Sequence, residues 1–314
     1  MTQPIAVGVD IGGTLVRVGL FGSDGHLLSQ NETSIASIEP ERGLRIIEEL
    51  IQKTIESITS SSLLGIGIGC TGPLDIVRGR INNPYTLEGW SNVPIVETLM
   101  ETFHVPVRLE NDADAAALGE YWQGAGREAK RLYAVTVGTG VGTALIIDGQ
   151  IYRGVDDSHP EGGHHLIDPA GPECYCGYHG CWESLISGTA ISSTARTIMN
   201  QKQLTALGGP DQINARVIAE AARAGHPAAI TIMQKAARDF SLGMLNIISL
   251  FVPDVIVLSG GVMKSADLFL PTLEKTLKTP NPMVPFHRVK ILPARLGYYA
   301  GLYGGAYMIL SETL

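Results

Sequence analysis

The sequence predicts an α/β protein with two domains. Short apolar strands alternate with amphipathic helical segments along the chain, which is the pattern of α/β folds. A chain of 314 residues with 45% hydrophobic and only 17% charged residues is long enough to bury two cores. Two similar glycine-tipped hairpins about half a chain apart further indicate an internal duplication.

Each hairpin is predicted from two apolar strands joined by a glycine turn. The predicted segments, given as strand, turn and strand, are residues 7–11, 12–14 and 15–21, and then 132–137, 138–142 and 143–147. Because each turn leads into a strand and not a helix, the pattern argues against a dinucleotide-binding or Walker-type phosphate loop. The remaining predicted strands are residues 64–69, 105–109 and 255–258, and the predicted helices are residues 41–58, 113–122, 216–224 and 227–251.

Composition narrows the classes of partner. The formal charge is -8 and no run of lysine or arginine is present, which argues against a nucleic-acid or anionic-membrane surface. A small-molecule substrate is therefore expected. The N-terminus shows no export signal, and the longest apolar stretches are interrupted by glycine or aspartate, so a cytoplasmic location is predicted.

Three glycine turns at strand ends indicate a nucleotide site. Glycines let backbone N–H groups approach phosphate oxygens, a threonine hydroxyl adds a donor, and Asp10 can hold Mg²⁺. Each turn taken alone is equally an ordinary tight turn, and it is their repetition that favours ATP. The candidate ATP and Mg²⁺ residues are Asp10, Gly12, Gly13, Thr14, Gly138, Thr139, Gly140, Gly260 and Gly261.

Asn111 and Asp112 lie at the junction of a predicted strand and helix. A carboxylate at a strand's carboxyl end can accept the proton of an attacking hydroxyl, and an asparagine can hydrogen-bond a neighbouring hydroxyl. The alternative is helix capping, because Asn or Asp before an alanine-rich helix is typical of an N-cap. Asp112 can also serve both purposes, with its backbone starting the helix.

A cluster of cysteines and histidines predicts a metal site. His164, Cys174, Cys176 and Cys181 supply one imidazole and three thiolates, which complete a tetrahedral zinc shell with no open position. The metal is thus expected to be structural and to fix the loop that ends in Glu161 and Glu183, two carboxylates suited to sugar hydroxyls. Nearby alternatives to His164 are His159, His165 and His179. Cys70 ends an apolar strand and is interpreted as a core residue without a role.

These motifs resemble the ROK family of bacterial sugar kinases and repressors, over nearly the whole chain. They run from Asp10-Ile-Gly-Gly-Thr14 through residues 83–90, Glu110-Asn-Asp-Ala113 and Glu161-Gly-Gly-His164 to the Cys-x-Cys-Gly-x-x-Gly-Cys-x-Glu block ending at Glu183. The resemblance implies the actin-like, hexokinase-like ATPase fold, a cleft between domains, Asp112 as catalytic base, Zn²⁺ and a dimer or tetramer. The implied substrate-binding residues are Asn83, Gly89, Asn111, Asp112, Glu161, His164 and Glu183.

The chain departs from the family pattern at three positions. Leu15 stands where the family often has lysine, Thr143 where it often has glycine, and Asp114 where asparagine is usual. The first two leave the phosphate contacts open. Asp114 adds negative charge that raises the pKa of Asp112 if the two carboxylates are close.

The predicted domains are residues 1–112, completed by a C-terminal helix at about 300–314, and residues 113–299, which carry the zinc loop. The predicted function is ATP-dependent phosphorylation of a hexose, with glucose first. The alternatives are an N-acetylmannosamine or N-acetylglucosamine kinase and a non-catalytic sugar sensor. A repressor needs a DNA-binding helix-turn-helix, and only nine residues precede Asp10.

Overall fold

A computed structural model describes residues 4–56, 62–278 and 282–312. The strands in this part of the chain are β1 Pro4–Ile11, β2 Leu15–Gly22, β3 Leu27–Ser34, β4 Ser62–Cys70, β5 Leu74–Asp75, β6 Arg80–Asn83, β7 Trp90–Val93, β8 Val107–Asn111, β9 Arg131–Val137, β10 Val141–Ile147, β11 Gln150–Ile151, β12 Val255–Ser259 and β13 Lys290–Pro293. The helices are α1 Pro40–Ile55, α2 Ile95–Phe103, α3 Asp112–Trp122, α4 Trp182–Ile186, α5 Gly188–Ile198, α6 Gln201–Ala206, α7 Ala215–Arg223, α8 Pro227–Phe251, α9 Ala266–Leu277 and α10 Ala300–Leu310. The predicted α/β class is confirmed.

The first sheet has the strand order β3-β2-β1-β4-β8. β1, β2 and β3 form an antiparallel meander, whereas β4 and β8 extend the sheet as parallel strands. Parallel strands need crossover connections, and α1 and α2 lie in the connections that lead to β4 and β8. The carboxyl ends of β1, β4 and β8 therefore lie side by side at one edge of the sheet.

Alternate residues of β1 face opposite sides of this sheet. Val7, Val9 and Ile11 are buried in the core that contains residues of α1 and α2. Ala6 packs instead in the second core, with apolar residues of α10. The sheet is thus covered by helices on both faces, which explains why β1 is apolar along most of its length.

α10 also packs on α3, at a separation that only glycine allows. A Cβ atom on Gly304 would overlap the carbonyl oxygen of Ala115 in α3. Glycine has no such atom, so the two helix backbones touch directly at this point.

The second sheet has the order β11-β10-β9-β12-β13. When the five strands of each sheet are numbered in chain order, both sheets have the spatial order 3-2-1-4-5. The shared order supports the internal duplication predicted from the two hairpins.

The chain divides into two compact units. Unit 1 comprises Met1–Leu132, Leu145–Tyr152 and Ala294–Leu314, and unit 2 comprises Tyr133–Ala144 and Arg153–Pro293. Unit 1 runs past residue 112 because α3 packs on α10, and α10 belongs to unit 1. The functional division at residue 112 stays a prediction.

Most predicted elements are present with shifted ends. α8 covers the predicted residues 227–251, and α7 is followed by Gly225 with a φ of 86°. β8 begins at Val107 and not at 105, because Pro106 has no N–H to donate to the ladder. The predicted end of α1 at Ile58, like residues 313–314 of the predicted C-terminal helix, lies outside the described residues. Within those residues, no helix is both long and apolar enough to cross a bilayer.

Gly304→Ala tests the contact between α10 and α3. At an exposed helix position this change stabilises by about 0.5–1 kcal/mol. Here the added methyl group meets the Ala115 carbonyl, so we expect the free energy of unfolding to fall by about 1–3 kcal/mol. Urea denaturation followed by circular dichroism measures the change, and a variant as stable as the parent would contradict this packing.

Candidate functional site

The carboxyl ends of β1, β4 and β8 bring the acidic candidates of unit 1 together. In the parallel ladder Asp10 pairs with Gly69, and Cys70 pairs with Asn111. Burial raises the pKa of Cys70 well above its usual value, and the charges of Asp112 and Asp10 raise it further. Cys70 is buried in the core, as predicted, and its raised pKa shows that Asp10 and Asp112 both lie near it.

Asp10 forms an ion pair that the sequence analysis did not anticipate. Its Oδ2 accepts a hydrogen bond from Arg17 Nη1 at 2.8 Å, and the two residues are cross-strand partners in the β1–β2 hairpin. Burial raises the pKa of Asp10, while the hydrogen bond and charge of Arg17 lower it. The turn next to it is closed by Gly12 N–H donating to the Leu15 carbonyl at 2.9 Å, with Gly13 partly exposed and Thr14 exposed at its tip.

Asn111 is the N-cap of α3. Its Oδ1 accepts from Ala113 N–H at 2.8 Å, and Asp112 is the first residue of the helix, with its own Oδ1 at 2.9 Å from the same N–H. Capping by Asn111 accounts for the helix start, so this role does not by itself explain Asp112. Asp114 lies in the first turn of α3 and is fully buried.

Asn83 organises a loop between β6 and β7. Its Nδ2 donates to the Thr71 carbonyl and to Thr86 Oγ1, and its Oδ1 accepts from the N–H groups of Tyr85 and Thr86. The buried amide is thus engaged within the loop. Gly89 lies at the far end of the loop, with a φ of 81°.

The glycine hairpin of unit 2 is tied to Glu183. Gly138 N–H donates to the Gly140 carbonyl at 2.9 Å, and Val141 N–H donates to Glu183 Oε2 at 2.6 Å. A Cβ on Gly140 would overlap that carboxylate, so a larger residue here would displace the Glu183 side chain from its present position. The Thr139 carbonyl accepts from Thr189 Oγ1 at 2.9 Å, which braces the hairpin against α5.

The third glycine turn follows β12. Gly260 has a φ of 94°, in the region that favours glycine, and Gly261 has open space where a Cβ would lie. The hydroxyls of Ser259 and Thr136 lie 2.7 Å apart and join the end of β12 to β9. The turn therefore leaves room beside Gly261 for a ligand.

The predicted metal ligands come together in unit 2. Ligand atoms of His164, Cys174, Cys176 and Cys181 all lie within 4.8 Å of one another, and none of the cysteines is in a disulfide. His164 Nδ1 is 3.5 Å from Cys174 Sγ, and the Sγ atoms of Cys176 and Cys181 are 3.5 Å apart. One imidazole and three thiols in this arrangement fit a tetrahedral metal site.

The pKa values of two thiols of the cluster are shifted in opposite directions. The backbone N–H of Tyr178 lowers the pKa of the exposed Cys176, whereas burial raises the pKa of Cys181 to about 12. Metal ligation would need both as thiolates, and the positive charge of a bound cation would lower the pKa of Cys181 and favour loss of its proton.

Two other histidines have different partners. His165 Nδ1 contacts the Gly162 carbonyl, and its ring packs on Trp182 with centroids 5.1 Å apart. His159 Nε2 lies 3.2 Å from Glu161 Oε1, and this hydrogen bond is the main cause of the lowered pKa of Glu161. His164 is therefore the histidine directed at the thiols, as preferred from the sequence.

Glu161 precedes a 3₁₀ turn, Gly162–His164, that is held by Thr143. Thr143 Oγ1 accepts from Gly162 N–H at 2.8 Å and donates to the Pro160 carbonyl at 3.0 Å. Thr143 is one of the three departures from the family pattern, and its hydroxyl fixes the backbone on either side of Glu161.

Glu183 is held by its neighbour Trp182 at the start of α4. The indole of Trp182 is fully buried, stacks on Phe240 at 5.8 Å and donates from Nε1 to the Asp239 carbonyl at 3.2 Å. Anchoring of this kind keeps the adjacent carboxylate in a fixed direction.

Four residues contact the candidates in ways that the sequence did not predict, although Thr143 and His159 were named there for other reasons. Hairpin register could have paired Arg17 with Asp10, since both flank a short turn. Nothing local to the sequence indicates the partners of the others, because their contacts cross loops. The four are Arg17, Thr143, His159 and Tyr175, the last of which contacts His164.

Comparisons with known proteins give one consistent result. A family profile described as the ROK family matches residues 6–312. The glucokinase of Streptomyces coelicolor is 32% identical over 310 residues, and the match covers 96% of each chain.

Solved structures agree with this result. A ROK hexokinase from Thermus thermophilus superposes with a TM-score of 0.83 at 30% identity, covering 98% of this chain and 99% of that one. A ROK family glucokinase from Streptomyces griseus, solved with glucose and AMPPNP, gives a TM-score of 0.74 at 30% identity, again over 98% and 99%. The predicted actin-like ATPase fold is confirmed, and the chain belongs to the ROK family.

Proposed function

We propose that the protein is an ATP-dependent hexose kinase that converts glucose to glucose 6-phosphate. The single observation that carries the proposal is the loop of unit 2 in which a Cys₃His cluster lies beside Glu161 and Glu183, in a chain that matches the ROK family throughout. Carboxylates and an imidazole held in fixed positions suit a polyhydroxylated ligand, since each can take one hydroxyl.

The proposed roles follow from where each group lies. Asp112, at the start of α3, orients the 6-hydroxyl and accepts its proton late in the transfer, because phosphoryl transfer depends mostly on positioning and charge stabilisation. Glu161, His164 and Glu183 hold other hydroxyls, with Asn111 as a further ligand. Asn83 and Gly89 act by shaping the loop between β6 and β7.

ATP with Mg²⁺ supplies the transferable phosphoryl group and neutralises charge on the phosphates. The three glycine turns are the residues that would hold these phosphates, since their backbone can approach oxygen atoms closely. Asp10 is the proposed Mg²⁺ partner, and its pairing with Arg17 keeps the carboxylate fixed and its charge balanced. Leu15 offers no ammonium to the phosphates, so the turn relies on backbone donors and Thr14.

Zn²⁺ is the proposed occupant of the cluster, because three cysteines and one histidine are a common structural zinc set. His164 would use Nδ1 for the metal, which leaves Nε2 for a sugar hydroxyl. We also propose, from the family resemblance, a homo-oligomer, either a dimer or a tetramer, in the cytoplasm with no nucleic-acid or membrane partner.

The function is tested by ADP release with ATP and Mg²⁺ on glucose, mannose, fructose, N-acetylglucosamine and N-acetylmannosamine. We expect strong turnover on glucose. A preference for an acetylated amino sugar would replace the substrate and keep the chemistry, whereas no turnover on any of the five would favour the sugar sensor.

Asp112→Asn tests the proposed catalytic base in the same assay. The amide keeps the oxygen that faces Ala113 N–H but removes the base, so we expect kcat to fall at least about 10²-fold with the fold intact. Circular dichroism checks the fold, and near-normal turnover would remove Asp112 from the mechanism.

Cys176→Ser tests the metal. We expect about one zinc ion per chain in the parent and a loss of metal together with a higher KM for glucose in the variant, because serine is a poor zinc ligand. Plasma mass spectrometry measures the metal, and Cys70→Ala is the control, since Cys70 lies outside the cluster. Full glucose affinity in a metal-free protein would contradict the structural role.

Thr143→Val tests the support of Glu161. The valine removes the hydroxyl that bonds Gly162 N–H and the Pro160 carbonyl, so we expect the KM for glucose to rise about threefold or more while kcat changes little. Thr143→Ser keeps the hydroxyl and should behave as the parent. Equal KM values for the valine and serine variants would show that the hydroxyl does not position Glu161.

A further inference from the structure

Tyr175 lies between Cys174 and Cys176 in the sequence, and its side chain contacts the histidine of the cluster. Its hydroxyl is 3.0 Å from His164 Nε2, and the two rings meet edge to face with centroids 5.1 Å apart. The phenol is therefore placed against the one histidine that faces the thiols.

Tyr175 contacts Nε2 of His164, the ring nitrogen that a metal bound through Nδ1 would leave free. His164 Nδ1 faces Cys174 Sγ at 3.5 Å, so metal ligation through Nδ1 leaves the ring proton on Nε2. That N–H then donates to the Tyr175 oxygen. A single N–H cannot make a full hydrogen bond to the phenol and to a sugar hydroxyl at the same time.

The phenol also faces the two carboxylates of the same loop. Its hydroxyl lies close enough to Glu183 and Glu161 for both carboxylates to interact with it. It accepts from His164 and faces acceptors on Glu183, which is the pattern that a hexose hydroxyl would present.

Tyr175 is held by its hydroxyl and by the edge contact of its ring with His164. The residue as a whole is 83% exposed, so its ring can turn away from the loop without losing a buried contact. The flanking backbone does not need to move, because it is held by Cys174 N–H bonding the Tyr178 carbonyl at 2.8 Å and Gly177 N–H bonding the Cys174 carbonyl at 2.9 Å.

We propose that Tyr175 occupies the sugar-hydroxyl position beside His164 and must be displaced by the incoming hexose, which makes it a residue that sets sugar affinity. The proposal rests on the proposed sugar-binding roles of Glu161, His164 and Glu183. Tyr175 acts through His164 and is not a catalytic residue. Its side chain weakens sugar binding by competition and leaves phosphoryl transfer itself unaffected.

Tyr175→Phe is the test. Removal of the hydroxyl frees His164 Nε2, so we expect the KM for glucose and its Kd, measured by calorimetry without nucleotide, to fall about 3- to 10-fold. We expect kcat to stay within about 2-fold of the parent, because the lost hydrogen bond exists only in the sugar-free protein. Zinc content, measured in parallel, should be unchanged.

Tyr178→Phe is the matched control. Tyr178 lies in the same loop and is also exposed, and its hydroxyl makes no hydrogen bond to the part of the chain that the structure describes. This variant should bind glucose as the parent does. A higher or unchanged Kd for glucose in Tyr175→Phe would overturn the proposal, the higher value by showing that the phenol is a ligand of the bound sugar.

Glu183→Gln separates the two levels of inference. A loss of glucose binding in this variant supports the sugar site on which the proposal rests. Unchanged glucose binding in Glu183→Gln would refute the assigned sugar site, whereas failure of Tyr175→Phe alone would refute only the displacement by sugar.

Discussion

The hydrogen bond from Val141 N–H to Glu183 is the interaction on which the loops of unit 2 depend. At 2.6 Å it joins the segment that follows the cysteine cluster to the end of the glycine hairpin. The same carboxylate lies where a Cβ on Gly140 would be. Because Trp182 is anchored in the core next to it, the carboxylate, the hairpin and the cluster keep their mutual positions.

Near this hydrogen bond, the loop between Glu161 and Glu183 is held by local hydrogen bonds and contains the Cys₃His cluster. Thr143 fixes the turn that precedes His164, and His165 contacts the carbonyl of Gly162 within that turn. The buried Cys181 has a raised pKa, so the cluster without a cation keeps at least one protonated thiol. Metal binding, thiol deprotonation and the placement of Glu161 and Glu183 are therefore linked in the proposed mechanism.

In unit 1, strand register brings polar groups together at the edge of an apolar sheet. The parallel register of β1, β4 and β8 places Asp10, Cys70 and Asn111 on adjacent strand ends. Carboxyl ends of parallel strands are the usual place for ligands in α/β proteins. Gly304 lets α10 pack closely on α3, the helix that begins at Asp112. The glycine thus helps to position Asp112 without contacting it.

The sequence by itself determined the parts that depend on local pattern. Apolar periodicity and glycine positions predicted both hairpins, and cysteine spacing predicted the metal cluster, because Cys174, Cys176 and Cys181 lie so close along the chain that few other arrangements exist. The junction at Asp112 was also visible, although only the structure assigned the cap to Asn111. Tertiary structure alone decided which histidine faces the thiols and that Tyr175 reaches His164, whereas the pairing of Arg17 with Asp10 was open to prediction from the register of the first hairpin. Those outcomes depend on strand register and side-chain direction, which are set by packing between segments that are distant in sequence or separated by turns.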